Sequence, residues 1–246
     1  MLRGLSNNTE VGLYSVAFKF STIVVFVNTA IGQAWSPFAM KMYADDPEYR
    51  LVFSKVLSLL FLGLTLIGLL LSIFGPEMLR LTTPAAYWPA ANTLSVLAGG
   101  IVLAGTTQVT ALGISIERKT QLFALGSWIA ATLNFASNWV LIPRIGALGA
   151  GIATFISYSF LSSFYLYWTQ RLHPIPLEKG RLLFSLGLLF SSMFFSFYLN
   201  GQAWSGKILL LKIALSSLAI LFVAAAFPQK IKGWERIGLI QWRKGF

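Results

Sequence analysis

Cysteine is absent from the chain and histidine occurs once, at His173 in a connecting loop. That removes a disulfide framework and a thiolate metal site, leaves the redox compartment open, and gives no reason to expect a metal or a cofactor. Charge is scarce too: 11% of the 246 residues are charged, against roughly 25% in an average soluble domain. Acids are the scarcest. The eight are Glu10, Asp45, Asp46, Glu48, Glu77, Glu117, Glu178 and Glu235, all read as lying in loops or at the ends of apolar runs. A membrane glycosyltransferase, acyltransferase or protease would want a carboxylate, a histidine or a nucleophile–base pair near the bilayer surface. Asp45 and Asp46 are the only adjacent acids, and a solvated loop that starts a helix accounts for them. The chain reads as a non-enzyme.

Apolar residues make up 56% of the sequence, in windows of about twenty or more positions. A soluble domain buries one face of each element, so its sequence alternates; these runs do not. The net charge of +11 does not indicate nucleic acid, because the cations sit in short gaps between apolar runs rather than on a folded basic face. The N-terminus, MLRGLSNNTEVG, has no apolar core with a small-residue cleavage site, so it reads as no signal peptide, and the first apolar run is expected to stay in the membrane.

A hydrocarbon core of about 30 Å takes about 20 residues of helix. Seven windows qualify, roughly residues 11–38, 52–74, 94–116, 122–142, 146–168, 182–199 and 208–227. The fold class expected is an all-α membrane protein with about seven transmembrane helices. Its parts are a short N-terminal segment (1–10), the membrane domain (11–227) and a basic tail (228–246). The stretch from Gly75 to Asn92, with Pro84, Tyr87, Trp88 and Pro89, is expected to lie along the interface before dipping inward.

Cytoplasmic loops carry an excess of Lys and Arg. With seven spans, thirteen cations fall on one side: Lys41, Arg50, Lys55, Arg118, Lys119, Arg171, Lys179, Arg181, Lys230, Lys232, Arg236, Arg243 and Lys244. Four fall on the other: Arg3, Arg80, Arg144 and Lys207. This sorting predicts an outside N-terminus and a cytoplasmic C-terminus.

An ionisable residue inside a span is a functional candidate by default. Lys19 lies eight residues into the first window, about 12 Å deep. It either faces a cavity for an anionic substrate or snorkels to the interface. Lys212, near the end of the last window, is expected to snorkel. Asn28, Gln33, Thr106, Thr107, Gln108, Asn134 and Asn138 are uncharged polar groups at depth. They either line a polar cavity or join helices through hydrogen bonds. Asn134 and Asn138, four apart, share a helix face. The run GALGAG from Gly146 offers small residues for close helix packing.

Two segments resemble a known family. VGLYSVAFKFSTIVVFVNTAIGQAWSPFAMKMY, from Val11, has a Gly-x-Tyr-Ser opening and a Trp-Ser-Pro-Phe close. ERKTQLFALGSWIAATLNFASNWVLIPRIGALGAGIATFISYSF, from Glu117, has a basic loop, paired Asn residues, Ile-Pro-basic-x-Gly and then Gly-Ala. Their order is similar to the C-terminal half of oligosaccharide-lipid flippases of the multidrug/oligosaccharidyl-lipid/polysaccharide exporter superfamily. The resemblance implies one lobe of a two-lobed, alternating-access transporter in the bacterial inner membrane. Its expected cargo is a polyprenyl pyrophosphate-linked oligosaccharide for O-antigen, capsule or exopolysaccharide, with Lys19 on the headgroup. It also implies contact with membrane lipid and pairing with an N-terminal half or a second copy. A multidrug exporter of the same superfamily would more often want a carboxylate in a span. A cell-envelope transferase would need Asp45 and Asp46 for catalysis.

Overall fold

The structure, a computed structural model, describes residues 1–200 and 206–226; the tail at 228–246 lies outside them. The described residues form helices without a strand: α1 (Leu2–Leu5), α2 (Asn8–Asp45), α3 (Tyr49–Thr82), a 3₁₀ turn (Ala85–Tyr87), α4 (Ala90–Gly105), α5 (Thr107–Thr110), α6 (Leu112–Ile116), α7 (Gln121–Leu172), α8 (Lys179–Asn200) and α9 (Gly206–Ala226). Among the described residues, six helical stretches are long and apolar enough to cross a membrane, α4 to α6 counting together as one. This is an all-α membrane bundle, multi-pass in kind.

The fourth stretch, α7, has 52 residues; as one rod it would measure about 78 Å, more than twice the hydrocarbon core. It is not one rod. Ile145 and Gly146 leave helical geometry, Gly146 at φ +55°. Tyr165 stacks edge-on against Phe123 at 5.4 Å between ring centres, and a Cβ on Gly149 would meet the carbonyl oxygen of Leu141 at 2.6 Å. A straight helix would hold residues 42 apart about 63 Å from each other. The contacts instead pair residues symmetrically about position 145, which is an antiparallel hairpin. Its two arms, 121–144 and 147–172, restore the seven spans expected from the windows.

The turn shows why Gly146 stands there. A positive φ is easy for glycine and strained for other residues, and a Cβ at this position would collide with the Glu10 carboxylate. That carboxylate accepts a hydrogen bond from the backbone N–H of Ala147 at 2.6 Å. An anion at a helix N-terminus satisfies an orphan donor and suits the helix dipole. The start of α2 therefore caps the second arm of the hairpin. Asn7 in turn caps α2, its side chain accepting from the N–H of Glu10 at 2.9 Å.

The core sits around α4, where every residue except Asn92 and Ala104 is buried. Gly99 and Gly100 let Phe155 of the second arm approach closely: a Cβ on Gly100 would lie 3.0 Å from the Phe155 Cα. Small residues are what membrane helices use to pack without a hydrophobic driving force. Phe53, Leu57, Leu64 and Leu71 of α3 join Val102 of α4, Leu189 of α8 and Trp35 of α2 in the largest apolar cluster. At Thr106 and Ala111 the third span tightens to 3₁₀-like angles without leaving helical space.

The stretch from Gly75 to Asn92 differs from its expected interfacial course. Residues up to Thr82 continue α3, and only 83–89 form the connection, with one 3₁₀ turn. Pro76 does not stop the helix. Leu79 of this extension is fully buried against the Leu13 and Leu94 cluster, and that packing outweighs the breaker signal.

Candidate functional site

On α2, the buried positions Leu13, Ala17, Ser21, Val24, Trp35 and Ala39 define the inward face. The opposite face is exposed and partly polar, with Ser15, Lys19, Thr22, Thr29, Gln33 and Ser36 among its residues. At about 100° per residue Lys19 and Gln33 fall within about 40° of one direction. Three of the hydroxyls are satisfied within the helix: Ser15 donates to the Val11 carbonyl at 2.7 Å, Thr29 to that of Val25 at 2.8 Å, and Thr22 to that of Lys19. Lys19 and Gln33 are left presenting an ammonium and an amide outward, about 21 Å apart along the axis.

The other expected site residues divide into two groups, neither on this face. Asn28, about half a turn away from Lys19, faces α4: a Cβ on Gly105 would lie 3.3 Å from its amide. Gln108 covers Gly32, where a Cβ would meet its Oε1 at 2.5 Å. Asn28 and Gln108 thus occupy a single seam between α2 and the third span. The Asn28 Oδ1 is buried there without a hydrogen-bond partner among the described residues. Asn134 and Asn138 pair within the first arm of the hairpin, Asn138 Nδ2 donating to Asn134 Oδ1 at 2.8 Å, while the Asn138 Oδ1 is buried without a hydrogen-bond partner among the described residues. Thr106 bonds Ser162 across helices at 2.5 Å, and Thr107 donates to the Ala104 carbonyl at 2.6 Å.

Two readings of charged residues are corrected. Lys212 does not snorkel: its side chain is 2% exposed and its Nζ donates to both oxygens of Glu77, at 2.8 and 3.0 Å. Glu77 is not in a loop but inside α3, one and a half turns before its end. A buried ammonium needs a paired counter-ion, and the partner is 135 residues away in sequence, beyond any local pattern.

His173 closes the opposite end of the bundle. It follows α7 as expected of a connector, yet it is buried. Its Nε2 lies 2.6 Å from the Tyr49 hydroxyl and its Nδ1 3.2 Å from Glu117 Oε1. A carboxylate can only accept, so Nδ1 carries a proton, and in the neutral ring Tyr49 donates to Nε2. Arg50 donates to the same hydroxyl at 3.1 Å. The cluster fastens the ends of α3, α6 and α7 together. Asp46 accepts the N–H of Glu48 at 2.8 Å and so helps to start α3, as the helix-starting reading of the Asp pair expects. Among the described residues no group of three or more His, Asp or Glu could hold a metal ion.

No protein-family model matches the chain, nor does any curated protein or solved structure. The geometry by itself establishes a multi-pass helical membrane bundle in which the exposed face of α2 carries Lys19 and Gln33 among apolar residues.

Proposed function

We propose that the chain is one lobe of a transporter that carries a lipid-linked oligosaccharide across the bacterial inner membrane, with the exposed face of α2 lining the path. The supporting observation is Lys19, whose ammonium points outward from α2 about 12 Å along the first window, with Gln33 on the same face near the far edge of a core of about 30 Å. Lipid tails offer an ammonium or an amide no partner, so this face needs a polar cavity or a second polypeptide against it. A central cavity between two lobes meets both needs. The missing wall is an N-terminal half or a second copy of the chain. In that arrangement Lys19 contacts the pyrophosphate, its charge matching the anion, and Gln33 offers hydrogen bonds to the sugar.

The test is export of lipid-linked oligosaccharide by a complete assembly carrying Lys19→Ala or Lys19→Arg. The expected result is loss with Ala and near-normal export with Arg. Equal tolerance of the two would make Lys19 a snorkelling residue and remove the main support for the reading.

A further inference from the structure

We propose that the turn between α6 and α7, together with the end of the second hairpin arm beside it, is a binding site for one anionic membrane phospholipid, a role separate from the transport reading. The part that takes the acyl chain is a ladder of rings along that arm. Phe160 stands 5.7 Å from Phe164 between ring centres, and Phe164 stands 6.2 Å from Trp168. All three side chains are partly buried, so each keeps some surface for a lipid chain. Phe164 and Trp168 rest on the cluster of Ile114, Leu122 and Tyr165, which ties them to α6 and the first arm.

The depth suits a headgroup. Counted from Ala147, where the second arm starts, Tyr167 and Trp168 lie about 30 Å along the axis and Arg171 about 36 Å. The two rings therefore reach the far edge of a hydrocarbon core of about 30 Å, and the guanidinium passes it. Tyr and Trp are the residues that mark this level. Arg171 is exposed; its Nη1 donates to the Tyr167 hydroxyl at 3.1 Å, and the guanidinium lies over the Trp168 ring at 6.0 Å. Both partners are uncharged. Tyr167 uses one of the five N–H donors of an arginine, which leaves the positive charge and the rest of a donor fork that matches a phosphate.

The turn supplies two more cations. Arg118 and Lys119 are exposed and, like Arg171, form no ion pair among the described residues. Glu117, the one acid of the turn, is engaged by His173. Ile114, before the turn, and Leu122, after it, belong to the cluster that Trp168 and Leu172 pack against, so the turn borders the same end of the arm. Its path is fixed by the backbone: the N–H of Arg118 donates to the Ser115 carbonyl and that of Lys119 to the Ile114 carbonyl, both at 3.1 Å. This pairing ends a helix on a left-handed residue. Arg118 is that residue, at φ +54°. Glycine takes such an angle without strain, and strained residues gather where a side chain is used; an arginine here accepts the strain and places a cation.

The experiment reconstitutes the full chain in phosphatidylcholine vesicles and titrates in brominated phosphatidylglycerol or brominated phosphatidylcholine. Trp168 emission is isolated as the difference between the parent and Trp168→Phe. One basic contact near an anionic headgroup corresponds to about fivefold in affinity, so brominated phosphatidylglycerol should quench Trp168 at no more than about one fifth of the mole fraction that brominated phosphatidylcholine needs. Arg171→Gln should cut that preference about fivefold and Arg171→Lys should largely keep it, with helical circular dichroism confirming the fold of each. Lys41→Gln, which removes a charge of the same sign from α2, should leave it unchanged. Should Arg171→Gln not fold, Arg118→Gly relieves the turn, so it must raise thermal stability and still lower the preference. Equal quenching by the two lipids in the parent overturns the proposal, as does a preference unchanged by Arg171→Gln. An equal fall with Lys41→Gln also overturns it, by showing diffuse attraction instead of a site. Displacement of brominated phosphatidylglycerol by inorganic phosphate at constant ionic strength assigns the cations to a soluble anion, and stronger displacement by polyprenyl phosphate than by unbrominated phosphatidylglycerol assigns them to a different lipid; either result overturns it.

Discussion

The exposed faces of α2 and α9 carry different chemistry, although both helices are long and apolar enough to span a membrane. On α9 the outward residues are Leu210, Leu211, Ile213, Leu218, Ile220, Leu221 and Phe222, while Lys212 and Ser216 are buried. On α2 the large inward residues are apolar and Lys19 and Gln33 point out. The α9 pattern is that of a helix against lipid, its one costly charge paired inside the protein. The exposed face of α2 is mixed, Lys19 and Gln33 standing beside the exposed Phe18, Phe26 and Met40. Each helix has one lysine within its membrane length, and the difference between the two is where a counter-charge stands. Lys212 meets Glu77 across a helix interface, whereas Lys19 makes no side-chain bond to another described residue.

The largest expected effect breaks the α9 side of this contrast. Glu77→Ala leaves the buried Lys212 ammonium without its partner, and removal of one member of a buried ion pair costs about 3 to 5 kcal/mol. Thermal unfolding in detergent should show it as a marked loss of stability. The double substitution Glu77→Leu with Lys212→Met removes both charges and should recover most of that loss, because a buried pair and well-packed apolar residues are often nearly equivalent. A double variant as unstable as Glu77→Ala would show that the pair does more than neutralise itself.

The absence of cysteine allows the two faces to be compared directly. Thr22→Cys on α2 and Leu218→Cys on α9 each introduce a single thiol. In the complete assembly a water-soluble maleimide should label position 22 and leave position 218 unlabelled. Protection of both would mean that the α2 face is covered by protein or lipid rather than by water. The smallest expected change is in the stability of Lys19→Ala, which should stay within about 0.5 kcal/mol of the parent, as for other exposed substitutions. A larger loss would mean that Lys19 holds the fold together and has no need of a cargo.

The seven spans were legible because each is a local property: enough consecutive apolar residues to reach across a bilayer. The hairpin at positions 145 and 146 was legible for the same reason, since Pro143 and Gly146 interrupt the apolar pattern whatever surrounds them. The candidate site was legible only in part. Asn28 and Gln33 stand five residues apart with similar polarity, yet one faces Gly105 and the other faces outward. The helix phase was available from the sequence, but which side would be covered was not.

The sequence by itself determined the fold class, the number of crossings and the places where the chain turns, because hydrophobic run length and backbone breakers act within a few residues. The tertiary structure alone decided that Lys212 is buried with Glu77, that His173 is locked between Tyr49 and Glu117, and that Glu10 caps the second hairpin arm. These contacts join residues 56 to 137 positions apart. A polar group inside a membrane protein is tolerated or exploited according to its partner in space, and only the packed bundle brings that partner within reach.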